Sequence, residues 1–213
     1  LAVARGEDGG ALARLAEEAA RAVSVRHFVE AAPQDEAAAL LPRRGRCADL
    51  VIVDRPDDAT SARDPLFEAA VVETGRPVLV ATPERVVSRV GHLSVAWDGS
   101  RLSARALGDA LAVFPEIAHV DVLVVVGDKD APPATPAVDA AEHLARRGVA
   151  ANVIEVPRFA GAVSVALDAA ARAAAADVLA LGGFGHSRLR ELVLGGVTRD
   201  IARTGSLPLL FAH

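Results

Sequence analysis

ADVLALGGFGHSRLRELVLGGVT, residues 176–198, packs a strand, a glycine turn and two helix starts into one short stretch. Asp177–Leu181 is an apolar run too short for a helix and closed by glycine, so it reads as a buried strand. Gly182, Gly183 and Gly185 make a turn with little side-chain bulk. Leu189, Leu192 and Val193 then recur at helical spacing among Arg188, Arg190 and Glu191. A second pair, Gly195-Gly196, opens the next helix, with Thr198, Arg199 and Asp200 in its first turn.

Glycine tolerates φ > 0 and lets a ligand reach the main chain. The first amides of a helix have no internal partner, and the helix dipole adds partial positive charge there. Strand, glycine turn and glycine-marked helix start therefore make a phosphate cradle of N–H groups. Its candidate members are Gly182, Gly185, His186, Gly195, Gly196, Val197 and Thr198. The plain alternative is that these glycines only end a strand and cap helices. For the set at this spacing the cradle is the better reading.

Upstream, the same grammar recurs. His92–Trp97 is a strand, Asp98-Gly99-Ser100 a turn, and Arg101–Val113 a helix. Val120–Val126 is a near-continuous apolar strand, as in a parallel sheet covered on both faces. Gly127–Pro136 reads as a loop, Ala137–Arg147 as a helix ended by Gly148, and Asn152–Val156 as a strand. Val163–Ala175 is an alanine-rich helix, and Leu207–Phe211 is the last strand. Strands alternating with helices imply right-handed crossovers and an α/β, doubly wound, five-stranded parallel sheet.

The chain also repeats itself. ADLVIVDRP (48–56), a helix, then ETGRPVLVAT (73–82) runs parallel to ADVLALGGF (176–184), a helix, then RTGSLPLLFAH (203–213). Residues 1–85 are therefore expected to form a first, degenerate copy and residues 90–213 a second, joined through the polar segment Thr82–Gly91. In the first copy, Ala11–Ala22 reads as a helix, Val23–Ala31 as a strand, Pro33–Leu41 as a helix, Ala48–Asp54 as a strand and Pro65–Thr74 as a helix. Asp54-Arg55-Pro56 stands where the second copy has Gly182-Gly183-Phe184. Proline lacks the N–H and fixes φ, so the first copy cannot build the same cradle. It also starts late: nothing before Ala11 matches the opening of the second copy. The readings of a trimmed domain and of an incomplete N-terminus both stay open.

Gly182, two residues, Gly185, nine residues, Gly195 and a small residue resemble the nucleotide-binding signature of the universal stress protein family, over residues 90–213. The ATP-binding members carry Ser or Thr where this chain has Gly196, so a hydroxyl is absent while the backbone N–H remains. The resemblance implies a strand order 3-2-1-4-5 in each of two tandem copies, with the reversal between His92–Trp97 and Asp177–Leu181. Ligands of such sheets sit beyond the strands' carboxyl ends at that reversal. It further implies that Asp98 faces the ribose and adenine side, that Val126 meets the adenine edge through its main chain, and that Ala96 lines the pocket floor. Plain alternatives are an N-cap for Asp98 and ordinary core for Val126. The cofactor implied is ATP, with or without Mg²⁺, in a stress-response binding and regulatory module. A structural partner with no bound nucleotide, and a slow ATPase, are the alternatives. The last strands, Pro77–Ala81 and Leu207–Phe211, are sheet edges that need a cover. They are expected to pair within the chain or across a homodimer.

Composition narrows the classes. The 213 residues are 52% hydrophobic and 24% charged, which supports a packed core. A net charge of -5 with pI near 5.7 excludes a general nucleic-acid binder with a basic face. Aromatics at 3% leave no base-stacking platform. No run reaches the ~18 apolar residues of a membrane span. Cys47 is alone, so neither a disulfide framework nor a metal-ligand cluster is expected, and a reducing, cytoplasmic setting is. The chain begins at Leu1 and contains no Met, so the native start is expected to lie elsewhere. His186-Ser187 lacks the hydrolase elbow, because Leu189 stands at the closing glycine position. A dinucleotide fingerprint fails at Arg188, and no Gly-Lys-Ser/Thr follows a glycine loop.

Overall fold

A computed structural model describes residues 2–3, 14, 17–19, 21–22, 30, 32–56, 64–82, 85, 87–127, 135–158, 161–183 and 196–213. In chain order the elements are β1 (Ala2–Val3), α1 (Gln34–Gly45), β2 (Val51–Asp54), α2 (Pro65–Glu73), β3 (Val78–Ala81), β4 (His92–Ala96) and α3 (Arg101–Val113). They continue with β5 (His119–Val126), α4 (Thr135–Arg146), β6 (Ala150–Pro157), α5 (Val163–Ala173), β7 (Val178–Gly182), α6 (Gly196–Thr204) and β8 (Leu209–Ala212). The expected strand at 23–31 lies almost wholly outside the described residues, and of the expected helix at 11–22 the described residues are helical.

Local chemistry explains where the helices start. Asp64 caps α2 by accepting from the Phe67 amide at 3.0 Å, with Pro65 in the first helical position. Ser100 caps α3 by accepting from the Ser103 amide at 3.2 Å. Helix α1 runs past the expected end at Leu41 and through Pro42. A proline in the last turn forfeits one hydrogen bond only, and the Arg46 amide still reaches the Pro42 carbonyl at 3.2 Å.

The strands form one sheet in the order β1-β2-β3-β8-β7-β4-β5-β6. All neighbours are parallel except β3 and β8, which pair antiparallel with Val78 opposite Phe211 and Leu79 opposite Leu210. Of the two expected ways of pairing the last strands, within the chain or across a homodimer, the structure shows the first. The last strands of the two halves cover each other's open edge, and that pairing makes one continuous sheet. Phe67 and Phe211 stack edge-on across the join, with centroids 5.6 Å apart.

Helices cover both faces. On one face, α3 and α4 pack Ala106, Leu107, Ala110, Ala140 and Leu144 against Leu93, Val95, Val122 and Ala180. On the other, α2, α5 and α6 bring Phe67, Leu167, Ala171 and Ile201 onto Leu123, Leu179, Leu209 and Phe211. Alternate residues of β4, β5 and β7 serve opposite faces, as the two-residue period of a strand requires. Among the described residues no helix is long and apolar enough to cross a membrane.

Candidate functional site

The sheet reverses its direction of growth at β4, which has β5 on one side and β7 on the other. The carboxyl ends of β4 and β7 therefore flank a crevice, the place where open α/β sheets hold ligands. Asp98 follows β4 into this crevice, and Gly182 ends β7 beside it. Helix α6 connects β7 to the parallel strand β8, so it too starts at this edge of the sheet.

Asp98 is half-buried, and its Oδ1 accepts from the Ser100 amide at 3.0 Å. Gly99 between them takes φ of 69°, which a side chain would resist. The cap itself is Ser100, so Asp98 shapes the turn one step earlier. Ala96 is half-buried beneath. The Val126 carbonyl accepts the Arg158 amide at 3.0 Å, which leaves its second lone pair.

Gly182 has a packing role as well as its place in the glycine set. A Cβ there would stand 2.7 Å from Leu102 Cβ and 2.9 Å from the Ser103 nitrogen, so only glycine lets β7 lie against the first turn of α3. The Gly183 amide donates to the Ala212 carbonyl at 2.7 Å, tying the turn to the end of β8. Gly185, His186 and Gly195 lie outside the described residues. Gly196 and Val197 are exposed at the start of α6, and Thr198 is buried. Beyond its chain neighbours and its own helix backbone, no atom of the described residues lies within 4 Å of where a Gly196 side chain would begin.

Positive charge gathers at this edge. Arg101 and Arg105 lie on α3 near His213, whose imidazole is held below its usual range by burial and then by those two charges. The residue that sequence reasoning passed over is Arg199, in the opening turns of α6. Its Nε and Nη2 are buried with no hydrogen-bond partner among the described residues. A buried guanidinium N–H without an acceptor is costly. A cation near a helix N-terminus also opposes the dipole. That second point was available from the sequence, which places Arg199 just behind the glycine pair that opens the helix.

No family model and no curated protein matches the sequence. Solved structures do. A universal stress protein from Archaeoglobus fulgidus superposes with a TM-score of 0.70 at 17% identity, over 93% of this chain and 74% of its own. A putative universal stress protein from Pseudomonas aeruginosa UCBPP-PA14 gives 0.62 at 18% identity, over 100% of this chain and 81% of its own. A functionally unknown protein from Pseudomonas aeruginosa PAO1 gives 0.62 at 17%, over 100% and 80%. The chain has the fold of the universal stress proteins.

Proposed function

We infer that the chain is a universal-stress-type protein that binds a nucleotide, ATP with or without Mg²⁺, at the carboxyl edge of β4 and β7. In this reading residues 90–213 are the nucleotide-binding copy, with strands β6-β5-β4-β7-β8 as its 3-2-1-4-5 sheet. Residues 1–85 are a reduced copy joined to it through β3. The observation that carries the proposal is the pair of buried Arg199 nitrogens, Nε and Nη2, with no hydrogen-bond partner among the described residues, on a helix whose Gly196 and Val197 are exposed. An anion placed there satisfies both at once. Asp98, Ala96 and the Val126 main chain then sit on the nucleoside side. Gly182, Gly185, His186, Gly195 and Thr198 shape the phosphate side, and Mg²⁺ arrives with the phosphates.

The activity is binding and regulation in a stress response in the cytoplasm, with ATP hydrolysis slow where it occurs. Gly182 favours a second reading, a structural partner without nucleotide, because close packing alone accounts for that glycine. Mass spectrometry of nucleotide released from the purified protein separates the two. So does the melting shift with Mg²⁺–ATP, which corresponds to about 2.7 kcal/mol at a hundredfold excess over Kd. Gly185→Asp puts a carboxylate in the cradle and abolishes the shift. Normal ATP binding by that variant overturns the assignment.

A further inference from the structure

At the opposite end of the same strands the sheet carries a polar patch that the nucleotide crevice does not use. The ladder sets His92 opposite His119, and Ser94, Asp121 and Asn152 in one row across β4, β5 and β6. All five side chains fall on one face, because positions two apart along a strand do. His92 Nε2 lies 2.8 Å from Asp121 Oδ2, and His119 Nε2 lies 2.9 Å from Asp121 Oδ1. The Asp121 carboxylate is only 4% exposed, while the imidazoles are 24% and 32% exposed and form the mouth.

From this geometry we propose that His92, His119 and Asp121 form a binding site for a divalent transition-metal ion of the zinc class. One nitrogen from each imidazole and one carboxylate oxygen, all within 4.8 Å of one another, make the donor set. Zinc bonds of about 2.0–2.2 Å require donors about 3.3 Å apart in a tetrahedron, so small side-chain rotations suffice. Two imidazoles and one carboxylate suit a borderline ion rather than Mg²⁺ or Ca²⁺, which favour all-oxygen sites. Each imidazole presents a bare Nε2 in its Nδ1–H tautomer.

Two further observations point to a cation. Asn152 Nδ2 lies 3.2 Å from His119 Nε2 and 3.1 Å from Asp121 Oδ1. A protonated Nε2 suits Asp121 but opposes the amide hydrogens, and a bare Nε2 does the reverse. A metal between nitrogen and carboxylate resolves the conflict, and a flipped amide or a water fills the fourth position. Ser94, fully buried beside Asp121, has a hydroxyl with no partner among the described residues. The amide of His92 is itself held by Asp177 Oδ2 at 3.0 Å, which fixes the start of β4. The eight residues of β5 put this site about 23 Å from the nucleotide crevice.

The test is Zn²⁺ titration of the whole chain against a chromophoric chelator, with Co²⁺ as the spectroscopic probe. Expected are one equivalent of Zn²⁺ per chain and a visible Co²⁺ spectrum of four-coordinate nitrogen–oxygen type. His92→Gln and His119→Gln should each weaken binding tenfold or more. Both rings reach solvent, so these variants keep the fold where Asp121→Asn does not, and circular dichroism checks it. Failure to bind one equivalent, or binding that survives the His92→Gln/His119→Gln double variant, overturns the proposal.

Discussion

Replacing Gly182 by Ala isolates what the close approach of β7 to α3 contributes. The added methyl would lie 2.7 Å from Leu102 Cβ, 2.8 Å from the Leu102 carbonyl carbon and 2.9 Å from the Ser103 nitrogen. Carbon contacts settle at about 3.5–4.0 Å, so the first turn of α3 must retreat by about 1 Å. It resists, because Ser100 caps the helix and Asp98 ties down the preceding turn. Overpacking of this kind costs about 1–3 kcal/mol. Alanine returns about 0.5–1 kcal/mol through the smaller entropy of the unfolded chain. Taken at the middle of both ranges the net loss is about 1.3 kcal/mol, or about 2.5–5 °C in Tm for a chain of this length. Thermal unfolding followed by circular dichroism reads it directly. Gly196→Ala is the control, since its methyl enters open space and should change stability by no more than about 0.5 kcal/mol. A Gly182→Ala variant as stable as the parent, or a Gly196→Ala variant equally damaged, refutes the packing argument.

Arg199→Gln should raise the Kd for ATP by about 10–100-fold, the worth of one charge-assisted hydrogen bond. Its stability should be equal or higher, because a buried charge has been removed; calorimetry and melting curves check both. Gly196→Ser, which adds a hydroxyl in open space at the start of α6, should tighten ATP binding without loss of Tm. His213 has a depressed folded pKa, so its contribution is whole above the unfolded value of ~6.5 and lost as pH falls through the lower folded one. His213→Gln should therefore flatten the decline in Tm below about pH 6.5; an unchanged slope contradicts this.

Several elements were legible because their chemistry is local. Arg101–Val113 read as a helix behind the turn Asp98-Gly99-Ser100, and the structure gives those bounds, with Ser100 rather than Asp98 as the cap. Strands β2, β5 and β7 announced themselves as apolar runs between turn residues. The β3–β8 pairing was suggested by the repeated Pro-apolar ending of the two halves, and the structure makes it within the chain. What the sequence left hidden depends on register. His92 and His119 are separated by a whole helix and meet only because β4 and β5 align them. The tight contact of Gly182 with α3 was hidden for the same reason: a glycine codes equally for a turn, a ligand and a neighbour's backbone. Strand β6 starts earlier than expected because pairing with β5 recruits Ala150 and Ala151, which carry no strand signal of their own. Arg199 was legible only as a residue of the helix's first turn, since the burial of its Nε and Nη2 depends on tertiary packing.

The most direct measurement is an ATP titration of the ¹⁵N-labelled chain followed amide by amide. The account expects one saturable site, with the largest shifts at Gly182, Gly183 and Gly196–Thr198 and almost none at His119 or Asp121. Shifts centred elsewhere, or no shifts at millimolar ATP, contradict it.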